Sequence, residues 1–225
     1  MTAPTLFSLP ADQLLIRFGE GKATPGSGCA AALMALLASQ LTAAIARMTI
    51  QRGKQDAAAR YQLILDAIDD RIAPRLRELF EEDAQAFEKV IEARRARDCA
   101  EDDAAKRKYT ALASAELKAA RDILFEISEL SFQILDNALW LWNIGFQPAM
   151  GEAGAGISAA VAAITTCVLV IGVNIRTARS IWARESKIRC DNLIDRLNMN
   201  QNRVLQLIGD TMIRSERALD LPLSS

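Results

Sequence analysis

The chain contains no histidine, so any proton transfer it performs falls to carboxylates, and Ser-His and Cys-His nucleophile systems are excluded. Two carboxylates are singled out by position. Glu152 follows Gly151 just after Pro148, at the N-terminal end of the most apolar helical segment of the chain. There it is either an ordinary first-turn acid favoured by the helix dipole or a general base held at a helix start. Asp83 lies in the run Glu81-Glu82-Asp83. Phe80, Asp83 and Phe87 follow i, i+3, i+7 spacing, which puts Asp83 on the apolar face of its helix while Glu81 and Glu82 point elsewhere. A carboxylate turned toward a core needs a partner or a task.

A third candidate is backbone rather than side chain. Thr24-Pro25-Gly26-Ser27-Gly28-Cys29 is a turn of small residues that runs straight into an uncharged helix rich in alanine and leucine. Pro25 and the glycines break what precedes, and Ser27 is a good N-cap. With such small side chains, the free N–H groups of the first turn and the positive end of the helix dipole suit an anionic or carbonyl group of a ligand. The alternative is a capped, buried helix of a bundle with no ligand at all.

These residues must be positioned by helices, because strand signals are nearly absent and helical periodicity runs almost everywhere. The spacing predicts helices over Pro10–Phe18, Ser27–Ile50, roughly Gln55–Ala96 with a kink at Pro74, Glu101–Trp142, Glu152–Trp182 and Glu185–Leu219. Long helices joined by short turns give an all-α, up-and-down antiparallel bundle, a single domain over residues 1–225. The fifth of these helices is expected at the centre, with the two alanine-rich helices packed closely. Ala153–Ile175 carries no charge over 23 residues, enough to cross a bilayer. Its glycines, Ser158, Thr165, Thr166 and Asn174, and the lack of an aromatic belt on both sides, favour instead a helix surrounded by protein.

Composition narrows the partners. A net charge of −1 with mixed signs offers no basic footprint for nucleic acid. Cys29, Cys99, Cys167 and Cys190 are scattered, without a C-x-x-C pair. They read as free thiols of a reducing compartment and not as a metal site or disulfide frame. Met1-Thr2-Ala3-Pro4 lacks the basic n-region of a signal peptide, so the expected location is cytoplasmic. Phosphate-binding, nucleophile-elbow and EF-hand motifs do not occur.

Thr24–Ala32 resembles the T-P-G-G-G-S-A-A-A start of the cyclodeaminase/cyclohydrolase family of folate enzymes. Further pieces follow in register: Met48-Thr49-Ile50, then Asp83-Ala84-Gln85-Ala86-Phe87 for D-A-E-A-F, Gly151-Glu152-Ala153-Gly154 for S-D-A-G, and Val173-Asn174. The likeness spans roughly residues 8 to 215. It implies a helical-bundle homodimer, with clefts near the subunit contact, that binds a tetrahydrofolate derivative as substrate and needs neither a metal nor a further cofactor. By position, Glu152 stands for the active-site aspartate, Asp83 for a supporting carboxylate and Asn174 for a pocket asparagine. Thr24, Pro25, Gly26, Ser27 and Gly28 form the ligand turn. Arg52 and Lys54 fall where the family has a lysine-rich stretch and would hold the glutamyl carboxylates of a folate tail; otherwise they form a solvated basic turn.

The resemblance implies hydrolysis of a methenyl bridge to a formyl group, or cyclisation of a formimino group with loss of ammonia. Several ligand-facing positions depart from the pattern. Ser27 interrupts the glycines, Glu152 is one methylene longer than aspartate, Phe146 and Val170 replace asparagines, and Ile123 replaces a proline. The other readings are therefore a relative acting on a different cyclic amidine-like substrate, and a catalytically silent folate-binding or structural bundle.

Overall fold

The computed structural model describes residues 5–53, 57–176 and 180–219. Its α-helices are α1 (Ala11–Gly19), α2 (Ser27–Gln51), α3 (Ala58–Asp66), α4 (Ala73–Cys99), α5 (Asp103–Ile144), α6 (Met150–Arg176) and α7 (Ile181–Leu219), and no strand occurs among the described residues. The expected all-α bundle of long antiparallel helices is the fold. Lys54 and the start expected for the third helix at Gln55 lie outside the described residues.

The helix ends follow local chemistry. Asp102 opens α5 by accepting the Ala105 N–H at 2.7 Å, a side-chain N-cap. Ser180 precedes α7, and its hydroxyl accepts from the Ala183 N–H at 3.4 Å. The expected fifth helix therefore stops earlier than predicted, at Arg176, and Ile181 and Trp182 belong to α7. The N-cap of α2 is Gly26, in extended conformation, and Ser27 is the first helical residue with its side chain exposed. Between α3 and α4 the helix widens into a π-turn over Ala67–Ile72, directly before Pro74. A proline ring clashes with the carbonyl four residues back in an α-helix; a wider turn gives it room.

The core is built from alanine on α2 and α6 and from larger side chains on α4 and α5. Leu76, Leu79, Phe80, Ile127, Ile134 and Leu135 are fully buried. Gly156 of α6 lies so close to α2 that a Cβ there would sit 3.5 Å from the Ala38 carbonyl oxygen and from Leu41 Cβ. Buried hydroxyls on α2 and α5 donate to their own helices: Ser39 to Leu36, Thr42 to Ala38, Ser128 to Leu124 and Ser131 to Ile127. Polar groups of the interior are thereby satisfied locally.

The expected centre of the bundle moves. Of the most apolar stretch of α2, 61 % is buried, whereas for α6 the share is 39 %. The chain packs α6 against α2, α5 and α7 and leaves its remaining side open. It is α2 that the other helices surround. The apolarity of α6 exceeds what one chain covers.

Candidate active site

Asp83 sits on α4 with 6 % of its surface exposed. Its Oδ2 accepts from the Cys29 thiol at 3.3 Å, and the backbone N–H of Cys29 also favours the carboxylate. A Cβ on Gly28 would overlap the Asp83 carboxyl group. Glycine is therefore required at this position so that α4 can bring a carboxylate onto the start of α2. Burial pushes Asp83 above the usual carboxylate range, against the opposing pull of the two Cys29 donors. Burial and the Asp83 charge together push the Cys29 thiol far up. The expected i, i+3, i+7 placement holds: Asp83 is buried, while Glu81 accepts the Phe7 N–H at 2.7 Å and Glu82 pairs with Arg75.

This arrangement alters one expectation. The first-turn donors of α2 had been assigned to a ligand, and one of them, at Cys29, faces the protein's own carboxylate. Thr24 and Pro25 remain at the rim of this end, joined by a cis peptide bond. The Thr24 hydroxyl donates to Glu88 at 3.1 Å. Below the turn lies Cys167 of α6, fully buried, whose thiol is pushed up to about 12 by burial, with the Ser128 hydroxyl opposing the shift and the Asp83 charge adding to it. Asn174 lies half-buried further along α6.

Arg52 and Glu152 belong to the other end of the molecule. Arg52 lies over the Phe146 ring at 5.1 Å, and the Phe146 N–H donates to Thr49 at 2.9 Å, which fixes the α5–α6 connection against the end of α2. Glu152 is exposed on the first turn of α6. Because Gly156 packs beside Ala38 and Thr42 while Cys167 lies within reach of the Asp83 charge at the start of α2, α6 runs antiparallel to α2 and Glu152 lies beyond the Gly156 contact. Gly28 and Thr42 are separated by about 21 Å at 1.5 Å per residue. The two expected carboxylates are thus not brought together within one chain. The Thr24–Gly28 turn, Asp83 and Asn174 share one end; Arg52 and Glu152 share the other.

A groove of about 430 Å³ opens at the Glu152 end, between the α5–α6 connection and α7, with Trp142, Gln147, Met150, Asp210 and Arg214 in its walls. None of the expected site residues lines it. What sequence reasoning missed is the pairing of Cys29 with Asp83, since Cys29 was read as a free thiol at the end of the ligand turn. Its partner stands 54 positions away, and the one local signal was the glycine beside it.

The model of the formiminotransferase-cyclodeaminase family matches residues 10–188. The chain belongs to that family. A solved formiminotetrahydrofolate cyclodeaminase from Thermotoga maritima superposes with a TM-score of 0.78 at 16 % identity, covering 92 % of this chain and 99 % of that one. At that identity the match speaks for the fold. No curated protein matches the chain. In this formiminotransferase-cyclodeaminase family member the two carboxylates singled out from the sequence have unequal surroundings: Asp83 is buried against Cys29, and Glu152 is exposed at the opposite end.

Proposed function

We propose that the chain is a one-carbon folate enzyme of the cytoplasm, working as a homodimer. Its reaction is either hydrolysis of methenyltetrahydrofolate to formyltetrahydrofolate or cyclisation of formiminotetrahydrofolate with release of ammonia. The observation that carries the reading is the placement of Asp83: a buried carboxylate, held above its ordinary pKa by burial, packed against a glycine turn that resembles the family's motif. The turn from Thr24 to Gly28 would orient the ligand beside it, with Asn174 as a further polar contact. Glu152 would take the proton from attacking water, or return it to leaving ammonia, and stabilise the cationic one-carbon bridge. Asp83 would support that charge. Arg52 and Lys54 would hold the glutamyl tail.

The test is the loss of methenyltetrahydrofolate absorbance on adding protein. Glu152→Gln keeps the shape and removes the base, and should lower turnover by roughly a hundredfold. Survival within a few-fold would remove Glu152 from the mechanism. Glu152→Asp is the companion: faster turnover marks family chemistry detuned by one methylene. The second reading, a relative acting on another cyclic amidine-like substrate or a silent folate-binding bundle, draws on Val170 and on Phe146, whose ring lies under Arg52. No acceleration by wild type, with folates still raising the melting temperature, would favour the silent binding bundle. No acceleration and no shift would favour the altered substrate.

A further inference from the structure

The Cys29 thiol carries one hydrogen and faces two acceptors. Asp83 Oδ2 lies 3.3 Å from its sulfur and the Phe80 carbonyl oxygen 3.4 Å. Both acceptors belong to α4 and stand one turn apart, so a single helix presents them to a single side chain. The sulfur also accepts from the Gly26 N–H, and Cys29 is fully buried. The sulfur is thus enclosed on all sides, while its hydrogen can rotate from one oxygen to the other.

Neither oxygen needs the thiol in every state. The Phe80 carbonyl lies within the α4 ladder and keeps a second lone pair for a further donor. Asp83 needs the donor when charged. When neutral, its own carboxyl carries a hydrogen, which the sulfur can accept. The thiol stays protonated in both cases, because burial and the Asp83 charge push it far above the carboxylate range. We infer that the Cys29 thiol is a two-position donor that follows the charge of Asp83, turning to Oδ2 when the carboxylate is charged and to the Phe80 carbonyl when the carboxyl is neutral. Asp83 can then gain and lose a proton inside the core without stranding a buried polar atom.

The other groups around Asp83 are engaged elsewhere. Cys167 faces it from α6 and is itself bonded to Ser128 of α5. On α4, Glu81 is held by the Phe7 N–H, Glu88 by the Thr24 hydroxyl, and Glu82 by Arg75, which also holds Glu126 of α5. From the N-terminal segment, the rings of Phe7 and Phe18 pack on Phe80. The Cys29 backbone N–H favours the carboxylate but cannot turn away from it. Among the described residues no other side chain donates to Asp83. Cys29 is therefore a positioning residue for that carboxylate. On the folate reading, on which this last step rests, the charged form supports the cationic one-carbon bridge, so a donor that favours it extends turnover to lower pH.

Infrared spectroscopy tests the thiol directly, since the S–H stretch falls in a window clear of other protein bands and reports its acceptor. The Cys29 band is the one lost in Cys29→Ser. In wild type it should shift with pH at the same midpoint as the Asp83 carboxyl band, and in Asp83→Asn it should stay still. A Cys29 band indifferent to pH in wild type, or still moving in Asp83→Asn, would overturn the inference. Cys29→Ala removes the donor, so the Asp83 midpoint, read from the pH dependence of melting, should rise by about one pH unit. Cys29→Ser, whose hydroxyl can make the same turn, should bring it back. An unchanged midpoint in Cys29→Ala, or a serine that behaves as alanine does, would equally overturn it. Should the alanine variant fail to fold, the wild-type band and the serine variant decide. In methenyltetrahydrofolate turnover, the acid limb of the pH profile should rise with the Asp83 midpoint in Cys29→Ala. A limb that stays put while the midpoint moves would remove Asp83 from the reaction and leave the thiol switch standing. No turnover by wild type would fail the folate reading alone, and the infrared band would still judge the switch.

Discussion

Helices α2 and α6 have nearly the same composition and opposite fates. Both are long, uncharged over most of their length and rich in alanine, and both are apolar enough to cross a bilayer. In the fold, α2 is enclosed by its neighbours and its first turn is locked by Asp83. A regular lane of α6 is left uncovered. Apolar composition states that a helix must be covered; it does not state by what. In α2 the cover is the rest of the chain, whereas the chain leaves part of α6 exposed.

The largest expected effect tests the enclosed helix. Leu36 is 4 % exposed on α2, so Leu36→Ala should cost about 3 kcal/mol in denaturant unfolding; a cost within experimental error would mean that α2 is not the centre. Next is Gly28→Ala, which drives a methyl group into the Asp83 carboxyl. Chevron or equilibrium unfolding should report a loss of about 2 kcal/mol, and pairing it with Asp83→Ala should recover part of it, because the overlap is then gone.

A subtler measurement reads Asp83 by pH. Its folded-state pKa lies above the unfolded value because burial disfavours the charge. The contribution of the protonated group is therefore complete below the unfolded pKa and is lost as pH rises through the folded one. Melting of wild type and Asp83→Asn should nearly coincide below about pH 4 and diverge as pH rises above it, with the variant the more stable. A gap that does not change with pH would show that Asp83 does not titrate in this window. The smallest effect belongs to the open helix: Leu169 is 64 % exposed, so Leu169→Ala should change stability by no more than about 0.5 kcal/mol. A core-sized loss there would erase the contrast between α2 and α6.

The bundle was legible because helical spacing repeats over whole segments, and Asp83 was legible because Phe80 and Phe87 fix the phase of its helix. The Cys29–Asp83 pairing was not, since it depends on how α4 crosses α2. The N-cap was misplaced by one residue because Ser27 has the better capping chemistry, whereas the helix already begins at Ser27, directly after extended Gly26. The position of α6 misled for a different reason. An uncharged run of 23 residues reads as enclosed, and sequence carries no sign of whether the enclosure is supplied by the same chain. Glu152 and Asp83 were assigned to one site without any means of judging the span between them.

The π-turn at Ala67–Ile72 has a consequence for how this fold tolerates change in length. Each residue of an α-helix advances the side-chain direction by about 100°, whereas the wide turn takes up one extra residue without passing that step on to α4. Deleting one residue within the turn would return it to ordinary α-helix with Asp83 still facing Gly28. The same deletion in α4 between Pro74 and Asp83 meets no wide turn that could absorb it. Asp83 would then swing away from Gly28, and a neighbouring side chain would face the glycine in its place.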